Sequence, residues 1–341
     1  MLEAMARLAT TRLSTTGGSP ALLTALLTLL APACGDETDA GAAAAPARTR
    51  IFATIVTHNE RSPHAECDPV VTVQSGYLAN RDLTLKLVDT VISHGAALDL
   101  QSDYLYLDAV KSWDGAAQKA KTGGMNLIQY LAGLAPAQLV LDAHAHADDT
   151  VNYTDVSYMH ELMGAPRNGV LGGFLWYPTE NESWTQFREV ETGRRYPDAT
   201  WQVEILWGGA TLQHRGPDSK ASGVWRPKDA ANFHVDDPAQ TLVNVGAYAG
   251  AIGGVGELLD LLHAGSLEPN RMYTATVFVN QCSITGASID ALATSIDEYA
   301  ADVAAGDLVW ATLPEVARIW RAEYDSMPSI LQPEPTSGTA M

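Results

Sequence analysis

Two short clusters of side chains could do chemistry together: Thr57-His58-Asn59-Glu60 and Asp142-Ala143-His144-Ala145-His146-Ala147-Asp148-Asp149. In an extended chain, residues two apart face the same way. His58 and Glu60 therefore share one face, and Asp142, His144 and His146 share another. Two neutral imidazoles on a strand, joined by a carboxylate or a third imidazole, form the ligand set of a catalytic zinc or similar divalent ion with one position left for water. Such an ion polarises a carbonyl oxygen and generates hydroxide near neutral pH. Taken alone, the second cluster reads equally well as a polar loop with chance histidines. The first cluster, a second His/acid set, favours the metal, with zinc as the first choice.

Each cluster ends an apolar run that reads as a strand. Residues 50–57 (RIFATIVT) are β-branched and aromatic, suited to a strand buried on both faces of a parallel sheet, and 138–143 (QLVLDA) are similar. Between them the pattern predicts a helix over 80–94, with Asn80 as N-cap and Gly95 as stop, a strand over 97–101 and a helix over 125–134. Beyond them it predicts helices over 155–163, 253–263, 288–305 and 313–324, and strands over 169–177, 201–207, 242–248 and 273–280. This alternation points to one α/β domain, most simply a (β/α) barrel, with an open doubly wound sheet as the second choice. Barrel active sites are built at the carboxyl ends of strands, where both clusters fall. The glycines of 250–256 (GAIGGVG) lack nucleotide-loop spacing and read as a loosened helix start.

Composition narrows the partners. With 341 residues, 46% of them hydrophobic, the chain can bury a sizeable core. Lys and Arg number 21 against 40 Asp and Glu, a formal charge of -19, and no basic stripe offsets it, which excludes nucleic acid. Three cysteines are too few for an all-cysteine zinc site. Cys67 and Cys282 either pair, as an oxidising compartment allows, or remain buried thiols. Arg7 and Arg12 precede an apolar run over 21–31 that is too short to span a bilayer and ends in small residues, the order of an export signal. Its ending, Leu30-Ala31-Pro32-Ala33-Cys34, resembles the lipobox of bacterial lipoproteins. That resemblance implies a lipidated Cys34 and a membrane anchor at the cell envelope, whereas cleavage near Ala33 would leave a periplasmic or secreted chain. The expected organisation is a signal over 1–33, a flexible tether over 34–49, the barrel over 50–327 and a polar tail over 328–341.

A T-x-x-E element ending the first strand, a histidine pair ending a later one, an Arg-Pro element (Trp225-Arg226-Pro227) and a C-terminal TLPEVARIW helix occur in that order. Over about residues 50–325 this order resembles the polysaccharide deacetylase superfamily. The resemblance implies a distorted (β/α) barrel that binds a divalent metal through an acid and two histidines and removes acetyl groups from N-acetylated sugars. Glu60 then stands for the metal-binding Asp, and His144 with His146 for the two histidines, spaced by two residues instead of four. The base falls on Asn59, which cannot take up a proton in that role. Asp142, Asp148 and Asp149 are the other carboxylates available, with Asp142 equally suited to orient a ligating imidazole. The late histidine that serves as general acid falls on His214 or His234. Arg226 either stabilises an oxyanion or anchors a loop. Trp176, Trp207 and Trp225 follow the histidine pair and offer faces on which sugar rings could stack, or they fill the core. Three functions compete: the hydrolase of an acylated carbohydrate or other small molecule, a non-catalytic glycan- or metal-binding lipoprotein, and a barrel of amidohydrolase type.

Overall fold

The β-branched run at the start of the domain forms β1 (Arg50–Asn59), the strand on which the rest is assembled. The structure, a computed structural model, describes residues 48–60, 68–145, 150–173, 187–207, 220–250 and 253–332. Cys34, Cys67, His146, Asp148, Asp149, Trp176 and His214 lie outside them. The further strands are β2 (Leu98–Ser102), β3 (Leu139–His144), β4 (Val170–Gly172), β5 (Glu191–Thr192), β6 (Thr200–Trp201), β7 (Ile205–Trp207), β8 (Val224–Trp225), β9 (Val243–Val245), β10 (Ala249–Gly250), β11 (Met272–Asn280) and β12 (Leu308–Trp310). The helices are α1 (Asp68–Thr72), α2 (Gln74–Ser93), α3 (Tyr104–Trp113), α4 (Ala116–Lys121), α5 (Leu127–Ala132), α6 (Tyr153–Leu162), α7 (Gly253–His263), α8 (Gly286–Glu298), α9 (Ala300–Ala305) and α10 (Leu313–Glu323). Among the described residues no helix is long and apolar enough to cross a membrane.

The main sheet runs β10-β11-β1-β2-β3-β4-β7-β9-β8, with β12 also on β1. Every ladder in it is parallel except β8 with β9. This is the α/β alternation expected from the sequence. Parallel register places aligned residues on one face, and the pairs Val56↔Asp99, His58↔Gln101, Gln101↔Asp142 and His144↔Gly172 define an inner face. At mid-height that face is apolar: Phe52, Val56, Val170, Ile205, Val243 and Met272 pack with Leu313, Val316 and Trp320 of α10. The outer face carries Ile51, Ile55, Leu98, Leu100 and Leu141, covered by α2, α3, α5 and α6. Burying each such side chain contributes roughly 1.5–3 kcal/mol, so a domain with two such layers is well supplied with core.

β8 and β11, which share no ladder, are linked through side chains next to the short β10–β11 ladder. Ser222 Oγ donates to Thr274 O (2.8 Å) and accepts from Thr274 N (2.9 Å). Thr274 Oγ1 accepts from Gly223 N (2.8 Å) and donates to Gly246 O (2.6 Å).

Several local expectations are corrected. The second helix starts at Gln74, and Asn80 lies buried inside it, its Nδ2 donating to Gln281 O (2.9 Å), so it is a tie to the turn after β11 and not a cap. Gly95 does end the region, at φ +75°. The 201–207 run divides into β6, paired antiparallel with β5, and β7 in the main sheet. The 288–305 run breaks at Tyr299 into α8 and α9. Cys282 is disulfide-bonded, and the chain's other two cysteines lie outside the described residues.

Candidate metal centre

β1 and β3 deliver the two clusters to the same place. His58 is the ninth residue of β1, Glu60 follows the strand, and His144 ends β3. One ligand atom from each of the three lies within 4.8 Å of the others. His144 Nε2 is 2.9 Å from Glu60 Oε2, and His58 Nδ1 is 3.5 Å from Glu60 Oε1. The two imidazole centroids are 4.0 Å apart. Two donors, each about 2.0–2.2 Å from a tetrahedral zinc, stand about 3.3–3.5 Å from one another; the His58–Glu60 spacing matches this, and the His144–Glu60 pair, a hydrogen-bond contact, would part by a few tenths of an ångström to admit a divalent ion. His144 is fully buried, whereas His58 and Glu60 are 14% and 15% exposed, so among the described residues the cluster is reached from the side of His58 and Glu60.

Aromatic walls flank it. Trp207 meets the His58 ring edge-on at 5.3 Å, and its Nε1 donates to Thr276 Oγ1 (2.9 Å). Phe278 meets His58 at 4.5 Å and is 39% exposed at the rim.

Beneath the cluster lies a polar floor. Asp142, two residues below His144 on the same face, accepts from Asn168 Nδ2 (2.7 Å). Burial pushes its carboxyl up to about 6, partly offset by hydrogen bonds from Asp99 and Asn168 and by the nearby Gln101. Asp99, wholly buried beside it, is raised well above the usual carboxylate range by burial and by the Asp142 charge. The Leu313 amide at the start of α10 donates to Asp99 (3.1 Å). The floor is roofed by two glycines. A Cβ on Gly172 would overlap the Gln101 amide, and one on Gly173, at φ +67°, would come 2.5 Å from the His144 ring.

The residues named from the sequence divide accordingly. His58, Glu60 and His144 come together, with Asp142 below them and Trp207 beside them. At 5% exposure Trp207 forms a wall and offers no open face for a sugar ring. Asn59 turns to the opposite face of β1, where its Nδ2 donates to Ser102 Oγ (3.3 Å), so its amide does not stand where a base would. Arg226 and His234 belong to the other end of the sheet. β8 runs antiparallel to β9, so the chain leaves Trp225 toward the amino ends of the parallel strands, where Arg226 lines a cleft with Val203, Glu204 and Thr241. There Arg226 is held by Asp236 (2.8 Å) and lies over the Trp320 ring, and His234 lies 5.8 Å from the ring of Trp225. Trp225 is wholly buried on the outer face, its Nε1 donating to Phe233 O (2.6 Å), which removes it from substrate contact. Sequence reasoning missed Asp99, Gln101, Asn168 and Phe278. For Asp99 and Gln101 the signal was present, since polar residues alternate with leucine in Leu98-Asp99-Leu100-Gln101, a strand otherwise fit for complete burial.

The sequence matches no protein-family profile and no curated protein. Among solved structures, the chain is similar to a GH57 branching enzyme from Thermococcus kodakaraensis (TM-score 0.43, 7% identity, 79% of this chain and 70% of that one). It is also similar to a putative glycoside hydrolase/deacetylase from Parabacteroides distasonis (0.45, 11%, 81% and 72%). A third similar chain is a putative polysaccharide deacetylase from Mycobacterium smegmatis (0.43, 9%, 84% and 95%).

Proposed function

We propose that this chain is a metal-dependent hydrolase that removes acyl groups, acetyl first, from a carbohydrate, and that His58, Glu60 and His144 hold its divalent ion. The observation that carries the reading is the meeting of these three donors at the carboxyl ends of two parallel strands. When bound, a zinc-type ion supplies Lewis acidity, polarising an acyl carbonyl and acidifying water near neutral pH. Trp207 and Phe278 pack edge-on against the His58 ring and fix its place at the rim of the cluster. Asp142 lies too deep to reach a substrate and serves to orient the floor, which leaves the proton transfers to Asp148 and His214 from the sequence reading. The carbohydrate assignment is supported by the ordered motif resemblance over residues 50–325. The signal-like N-terminus supports export, lipid attachment at Cys34 and action at the cell envelope.

The test is metal analysis of the purified full-length protein by plasma mass spectrometry, beside its His144→Ala variant. About one zinc or other divalent ion per chain, lost in the variant together with acetate release from acetylated oligosaccharides, is expected. A wild-type chain that takes up no metal after reconstitution refutes the reading.

A further inference from the structure

We propose that Gln101 is a positioning residue of this centre, its amide holding the His144 imidazole in the orientation that receives the ion. The inference rests on the metal reading above and concerns a residue outside the ligand set. Gln101 is wholly buried, and neither atom of its amide reaches hydrogen-bond geometry with a partner among the described residues. Buried amides in native proteins seldom go unmet, so this one calls for an explanation. Its backbone sits on β2 at the level of Asp142, yet its amide ends over Gly172, the residue paired with His144. The side chain thus crosses β3 from the Asp142 level to the His144 level, on the face that carries both.

The two glycines fit this arrangement. Gly172 leaves the space that the Gln101 amide fills, and Gly173 leaves the space that the His144 ring fills, so consecutive missing side chains seat two polar groups next to each other. Asp142, the register partner of Gln101 on the same face, likewise has a buried carboxylate oxygen, Oδ2, that reaches no hydrogen-bond partner among the described residues. An acceptor at that place draws the amide nitrogen toward Asp142, whose other oxygen accepts from Asn168. The amide oxygen is left to accept from an imidazole N–H. A ligating histidine whose second nitrogen donates to a fixed acceptor has its ring orientation set, and removing such an acceptor weakens metal binding.

The experiment uses the full-length protein with cobalt(II), followed by visible absorption, and with zinc, followed by proton NMR of the His144 ring N–H. Gln101→Met keeps the length and removes the acceptor, whereas Gln101→Glu keeps an acceptor. Gln101→Met is expected to weaken cobalt affinity about 10- to 100-fold, alter the visible spectrum and speed exchange of the His144 N–H. Gln101→Glu is expected to restore affinity to within about fivefold of wild type. Unchanged affinity and unchanged N–H exchange in Gln101→Met overturn the proposal. If the wild-type protein binds neither metal, the metal reading fails on its own, and N–H exchange in the metal-free proteins still decides whether Gln101 holds His144. Should Gln101→Met fail to fold, wild type decides: a His144 N–H exchanging as fast as a solvent-exposed imidazole overturns the proposal.

Discussion

Acid should loosen this fold through one histidine that takes no part in the chemistry. His160 sits in the last turn of α6, which packs on β3; it is fully buried, with Nδ1 3.1 Å from the Val156 carbonyl. Burial drives its pKa down to about 4. The unfolded chain titrates near 6.5, so the folded protein refuses a proton that the unfolded chain accepts. Stability from this group is complete above about pH 6.5 and is lost as pH falls toward about 4. The gap corresponds to roughly 3 kcal/mol, a large part of the 5–15 kcal/mol that holds a typical domain together. Urea unfolding of wild type and His160→Gln, followed by tryptophan fluorescence between pH 8 and 4, measures it. Asp99 and Asp142, whose raised values add stability as pH falls, are present in both proteins and cancel in the difference. The stability difference between the two proteins should shift by roughly 3 kcal/mol in the variant's favour from pH 7 to 4. Curves that stay parallel would show that the imidazole titrates normally and that the burial argument is wrong.

Two substitutions separate the ends of the sheet. Gly173→Ala, with its Cβ 2.5 Å from the His144 ring, should weaken metal binding at least about tenfold, whereas Gly265→Ala, at nearly the same φ but with open space around it, should cost only about 1 kcal/mol in thermal unfolding. Equal metal affinities in the two variants would show that the Gly173 cradle does not matter. Arg226→Ala should lower stability by about 1–3 kcal/mol, because it removes the two guanidinium bonds to the Asp236 carboxylate and leaves only the one from the backbone N–H, and should leave metal affinity and acetate release unchanged. Loss of acetate release at intact stability would return Arg226 to the site.

The parts of the site that follow from strand geometry were legible in the sequence. Period-two alternation put His58 with Glu60 and Asp142 with His144, and a parallel sheet then brings strand ends together at one rim. What the sequence could not supply was direction. Arg226 follows Trp225 in a pattern that resembles a known order, but an antiparallel β8 turns it to the far end, and nothing local to Val224-Trp225 announces which way a two-residue strand runs. Asn80 illustrates a second limit: an Asn before a periodic stretch has the signature of an N-cap, but the preceding residues also join the helix and the amide is spent on Gln281. Gln101 shows a third, because its setting depends on the absence of side chains at positions 172 and 173, far from it in sequence.

The join between β8 and β11 has a mechanical consequence. A ladder resists opening because each rung hands its load to the next in register, while the Ser222–Thr274 stitching is made through hydroxyl groups and stands beside a ladder of only two register pairs, Ala249↔Thr276 and Gly250↔Val277. β1 and β11 are held along nine register pairs, but loss of the Ser222 and Thr274 hydroxyls would leave β8 tied to β11 only by way of the β8–β9 and β10–β11 ladders.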